Sequence, residues 1–161
     1  MRFYAFGNFY LSSIQQSIQA FHACQEIYNN YCSPIVENQK IGISNLKNLD
    51  FAAQYNDWSK NHKTVVLLNG GTVASLKEIE SFFKMDGNIY AHGSFYEEAG
   101  AISVGENQAL TSVGIILPER IYRTAESIRE REVRLEDLRV PTFSLWEIEL
   151  IQMLNTKSLA R

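Results

Sequence analysis

Gln15, Gln19, His22 and Glu26 step by 4, 3 and 4 residues. On a helix that spacing gathers two amides, an imidazole and a carboxylate into one polar stripe. Neutral amides donate and accept at once and suit the edge of a base or a ribose hydroxyl. An imidazole can shuttle a proton, or simply tie the helix to a strand carbonyl. Ile14, Ile18, Phe21 and Ile27 form a neighbouring apolar stripe that is expected to face a sheet.

The elements that must hold these groups are readable. Residues 2–6 read as a strand, and Gly7-Asn8 breaks it. Ser12 or Ser13 is the expected N-cap of a helix over about 13–31, which Ser33-Pro34 closes. Asn8 and Ser12 then stand in the loop where helix amides gather, a place that favours phosphate or carboxylate. Residues 35–52 show no period and read as an inserted loop; a short helix with Trp58 is expected over 52–60. Lys63 to Leu68 is a buried-strand pattern, followed by an Asn69-Gly70-Gly71-Thr72 turn and a helix over 73–85. That turn lacks the GK[ST] ending and the spacing of a phosphate loop. Strands are expected over 89–95 and 109–117, with an acid-bearing loop, 96–108, between them.

This order predicts an α/β fold: a three-layer arrangement with a mixed sheet of about four strands, helices packed on it and a further C-terminal helix. Residues 1–118 form the expected α/β domain with its insert at 35–52, and 119–161 a helical extension used for packing or oligomerisation. The pattern Ser144-Leu145-Trp146-Glu147 is a capping box, and the helix after it is apolar on more than one face. A homodimer or larger homo-oligomer with the 120–157 segment at the contact is expected; plain docking on the sheet is the alternative. The arginines and acids that alternate after Pro118 read as a solvated, salt-bridged segment, or as a source of cations turned inward on an anion.

Bulk properties exclude several classes. A net charge of −3 argues against a strongly basic nucleic-acid binder. No apolar run approaches the ~18–20 residues that span a bilayer. Met1-Arg2-Phe3-Tyr4 lacks a signal-peptide pattern, so a cytoplasmic location is expected. Cys24 and Cys32 lie about 12 Å apart along one helix, too far to bond. His22, His62 and His92 are scattered, so neither a metal nor a cofactor is expected.

Three motifs carry a resemblance: the helix Gln15-Gln16-Ser17-Ile18-Gln19-Ala20-Phe21-His22-Ala23, Trp58 shortly before a strand, and Glu106-Asn107-Gln108-Ala109-Leu110-Thr111-Ser112 entering the last strand. In this order they resemble type II peptidyl-tRNA hydrolases, over roughly 2–33 and 56–117. The resemblance implies Gln19, His22 and Thr111 as site residues, with Glu98 or Glu106 as the acid. It implies cleavage of the ester between a peptide and its tRNA. The family's lysine, seven positions before the helix histidine, is Gln15 here, and no lysine lies from 1 to 39. An amide donates to an oxyanion but is no base near neutral pH.

The sequence therefore points first to a non-catalytic binder of a nucleotide or nucleotide-like ligand. Sequestration of a nucleotide signal, as small viral counter-defence proteins perform, is one form of it. Asn8, Ser12, Gln15, Gln19, His22, Phe95, Tyr96, Asn107 and Thr111 are the expected ligand contacts, with the aromatics stacking on a base. The alternatives are a divergent hydrolase that uses His22, Glu98, Glu106 and Thr111 on peptidyl-tRNA, and a protein-interaction module.

Overall fold

The structure, a computed structural model, describes residues 1–33, 46–98, 108–138 and 142–160. Four strands form one open sheet in the order β2-β1-β4-β3: β1 (Arg2–Asn8), β2 (Val65–Gly71), β3 (His92–Glu98) and β4 (Gln108–Leu117). β1 runs parallel to β2 and antiparallel to β4, and β3 is antiparallel to β4. The sheet is mixed, as expected from one long crossover and one loop-joined pair.

Alternation along β1 sorts the core into two layers. Phe3 and Ala5 face α1 (Ser13–Ile27) and α2 (Leu46–Asp57), where they meet Ala20, Ala23, Ile27, Phe51 and Trp58. Tyr4 and Phe6 face the opposite layer, built from α3 (Val73–Phe83), α4 (Glu119–Arg129) and α5 (Leu145–Thr156). Burying one sheet on both faces accounts for β4, whose residues from Ala109 to Leu117 are all buried.

Several boundaries differ from the sequence reading. α2 starts at Leu46, inside the stretch read as a loop, and continues as a π-helical turn through Trp58–His62; residues 34–45 of that stretch lie outside the described residues. β2 extends through Asn69, Gly70 and Gly71, because Gly7 and Asn8 of β1 continue to pair with it. The Asn69-Gly70-Gly71 stretch is thus strand end, and Thr72 alone caps α3. β3 begins at His92 rather than 89, since the buried Asn88 side chain bonds the Tyr90 amide and the Phe83 and Tyr90 carbonyls, occupying the backbone a strand would use.

The capping box of α5 forms as its spacing predicts, with the Glu147 amide donating to Ser144 and the Glu147 carboxylate accepting from the Ser144 amide. The apolar residues of α5 are spent within the chain: Trp146, Leu150, Ile151 and Leu154 are buried in the second layer, while Leu145 is exposed. Arg120 turns inward, but onto the buried Glu147 carboxylate, which also takes the Tyr90 hydroxyl. Arg123–Glu119 and Arg134–Glu136 are exposed pairs of the solvated kind.

Past α5 the chain returns to β2. Asn69 donates to the Ser158 carbonyl and Ala160 to the Leu67 carbonyl, so residues 158–160 cover part of that outer edge. Among the described residues no helix is long and apolar enough to cross a membrane.

Candidate functional site

The site begins where β1 hands over to α1. The Asn8 side chain is buried and accepts from the Tyr10 amide at 3.0 Å, a local turn that leads into the helix. Ser12 then caps α1. Its hydroxyl takes the Gln15 amide, and the Gln15 side-chain oxygen takes the Ser12 amide at 3.0 Å. Three of the expected ligand contacts, Asn8, Ser12 and Gln15, are therefore engaged in building the connection.

α1 lies on the sheet by a face that takes only Gln19 from the polar stripe and Ile27 from the apolar one. Gln16, Gln19, Ala20, Ala23, Cys24 and Ile27 are buried, while Ile14, Ile18 and Phe21 point to solvent. The aliphatic stripe expected on the sheet is its exposed flank; of that stripe only Ile27 is buried. The buried residues also repeat at helical spacing, but they are small or amide-bearing, and a reading for large aliphatics passes over them. Close approach explains the choice. A Cβ on Gly93 would stand 2.5 Å from the Ala23 carbonyl oxygen, so glycine in β3 and alanines in α1 let the two backbones meet.

A bulge then aims a hydroxyl at the helix. In the β3–β4 register Phe95 faces Ser112 and Tyr96 faces Leu110, which leaves Thr111 as the extra residue. Alternation is reset there: Leu110 joins the α3 layer, while Thr111 turns to α1. Its hydroxyl is within 3.0 Å of the Gln19 side-chain oxygen and 3.3 Å of the Phe95 carbonyl. The Gln19 amide donates to Glu97 at 2.8 Å. Both ends of a nearly buried amide are thus fixed, one by a hydroxyl and one by a carboxylate. One helical turn on, the His22 ring stacks on Phe95, with centroids 4.4 Å apart and planes 21° apart.

Beside this group lie two orphaned polar atoms. The Gln16 side-chain nitrogen donates to the Leu11 carbonyl at 2.8 Å, but its oxygen is buried without a partner among the described residues. That oxygen sits over Gly7, where a Cβ would come within 2.8 Å. Gly7 pairs with Ser112, whose hydroxyl is likewise buried and unpartnered. Buried polar atoms usually find partners, so these two are departures from that rule on one face of the sheet.

The structure thus unites Gln19, His22, Phe95 and Thr111. The acid it places there is Glu97, which the sequence reading passed over in favour of its neighbour. Phe95 and Glu97 share a face of β3 by simple alternation, and that spacing was the available signal. Glu98 pairs its backbone with Gln108, and its side chain lies outside the described residues, as do Glu106 and Asn107. Tyr96 stands on the other face, where its hydroxyl donates to Glu80 at 2.6 Å; burial, then that carboxylate, push the phenol up to about 12. It lines a separate polar cleft of about 210 Å³ with Tyr31, Glu80, Lys84, His92 and Ser94.

No His/Cys/Asp/Glu group able to hold a metal ion occurs among the described residues. Burial pushes the Cys24 thiol up to about 11, which leaves it an inert apolar group at neutral pH. The fold and site together define a three-layer α/β protein with an amide-centred polar cluster beneath its first helix. No family model and no curated protein matches the chain.

Proposed function

We propose that this protein is a non-catalytic binder of a nucleotide or nucleotide-like small molecule, read through its base or ribose by neutral groups beside α1. The observation that carries the reading is the fixed amide of Gln19, held by Thr111 and Glu97 next to the His22–Phe95 stack. Amide, carboxylate and imidazole in that order offer the donors and acceptors of a base edge or a ribose hydroxyl.

Turnover has less support. Ester hydrolysis needs a group that moves protons or stabilises an oxyanion. Gln15, at the position where the resembling family carries lysine, closes the helix cap instead. From Phe3 to Gln25 no charged residue occurs, which disfavours a tRNA backbone at this surface and favours the less charged end of a small ligand. Holding a nucleotide signal away from its receptor, as viral counter-defence proteins do, is one use of such a binder.

Two measurements test this. Single-turnover cleavage of peptidyl-tRNA, with a type II hydrolase as positive control, is expected to show none; clear cleavage would return the chain to the hydrolases. Titration calorimetry with mononucleotides and cyclic dinucleotides is expected to show micromolar binding that His22→Ala weakens. If none of these binds, the reading fails.

A further inference from the structure

We propose that a second copy of this chain docks on the outer flank of α1, with the Phe21 ring of each copy entering a cleft of the other about a two-fold axis. The inference does not rest on the proposed ligand: it uses the outward face of α1, where the Phe21 ring edges onto His22 at 6.1 Å between centroids, and not the buried Gln19 amide.

The flank is apolar and open. Ile14, Ile18 and Phe21 are 73%, 50% and 65% exposed, and Val65 on the neighbouring edge strand is 52% exposed. Their spacing of 4 and 3 residues makes a continuous stripe of the kind that a helix normally buries. Beside it, between α1 and β2, opens a cleft of about 150 Å³ with Phe21 at its lip and Phe3, Ala20, Cys24, Trp58 and Leu67 in its walls. The Trp58 indole nitrogen is already satisfied by the Thr64 carbonyl, and the Cys24 thiol is neutral, so the cleft offers an incoming group contact rather than hydrogen bonds.

Three features specify a second copy as the occupant. One face carries both an exposed aromatic knob and an apolar hole of side-chain size, which is the self-complementarity an isologous contact needs. Ile14, Ile18, Phe21 and the walls of the cleft are also uncharged. A two-fold axis brings like residues together, and a chain of net charge −3 has few places where that costs nothing; the stretch from Phe3 to Gln25 is one. Finally, residues 158–160 cover the β2 edge at Leu67, Leu68 and Asn69, so a partner is received by side chains and not by sheet extension at those positions.

Sedimentation velocity over the micromolar range tests the proposal with the wild type, Phe21→Glu, Ile18→Glu and, as a control on α5, Leu145→Glu. The wild type and Leu145→Glu are expected to be dimers. Both α1 variants should weaken self-association by about tenfold or more, with far-UV circular dichroism close to wild type because the substituted side chains are exposed. A monomeric wild type would overturn the proposal, as would a dimer that Leu145→Glu breaks. If Phe21→Glu fails to fold, Ile18→Glu decides: a dimer as tight as wild type would also overturn it.

Discussion

The Thr111 hydroxyl meets the Gln19 side-chain oxygen at 3.0 Å because a bulge turns residue 111 off the face that alternation would give it. A strand irregularity and a helix amide are thereby joined across 92 residues of sequence. Both side chains are buried, so the bond is one the fold cannot lose cheaply.

Thr111→Val keeps the shape and removes the hydroxyl. The Gln19 oxygen is then left buried and unpaired, at about 1–3 kcal/mol of stability. Urea unfolding should show that loss, and Thr111→Ser should recover most of it. Under the proposed function, nucleotide binding falls in Thr111→Val as the amide loses its fixed orientation.

Gly93→Ala should separate α1 from β3. The new methyl meets the Ala23 carbonyl oxygen and the Ile27 backbone, atoms that cannot rotate away. About 1–3 kcal/mol of destabilisation is expected from such overpacking. The His22–Phe95 stack should loosen with it, visible as a shift of the His22 ring resonances.

Gln15→Lys restores the residue type of the resembling hydrolases. The reciprocal bond from the Ser12 amide is lost, at about 0.5–1 kcal/mol. No peptidyl-tRNA cleavage should appear in the single-turnover assay, because an amine added at the helix cap does not by itself supply the proton transfer and oxyanion stabilisation that ester hydrolysis needs.

Stability should decline in acid in two stages. Burial holds the His92 imidazole below its ordinary 6.5, so the unfolded chain takes up a proton there that the folded chain resists. That contribution is present above 6.5 and is lost as pH falls through the folded value. For Glu147, burial alone would push the carboxyl up, but hydrogen bonds from Tyr90, the Ser144 amide and Arg120 outweigh it and hold it below 4.5. For Glu80, bonds from Lys84 and Tyr96 outweigh burial in the same way. Their contribution is present above 4.5 and is lost as pH falls further. Unfolding free energies measured against pH should show both declines, and Glu147→Gln should flatten the second.

What the sequence disclosed followed the strength of each local signal. β4 and α3 were legible because the stretch from Val113 to Leu117 before Pro118, and regular helical spacing, leave little choice. So was the α5 cap, where Ser144 and Glu147 act within one turn. The orientation of α1 was not legible: Ile14, Ile18 and Phe21 outweigh Ala20 and Ala23 on any hydrophobic scale, and only Gly93, some 70 residues away, decides for the smaller face. The role of Glu97 was hidden for a similar reason. Two adjacent acids look alike until the strand register assigns each a side. Thr111 was identified through resemblance, but its direction depends on a bulge that no local pattern announced.

Residues 158–160 lie on β2, yet they follow it in the chain by almost ninety positions. During synthesis β2 therefore emerges with a bare margin long before its cover exists. An uncovered strand margin is a template for neighbouring chains. The nascent chain therefore carries the whole of that margin open until residues 158–160 arrive and close it at Leu67, Leu68 and Asn69.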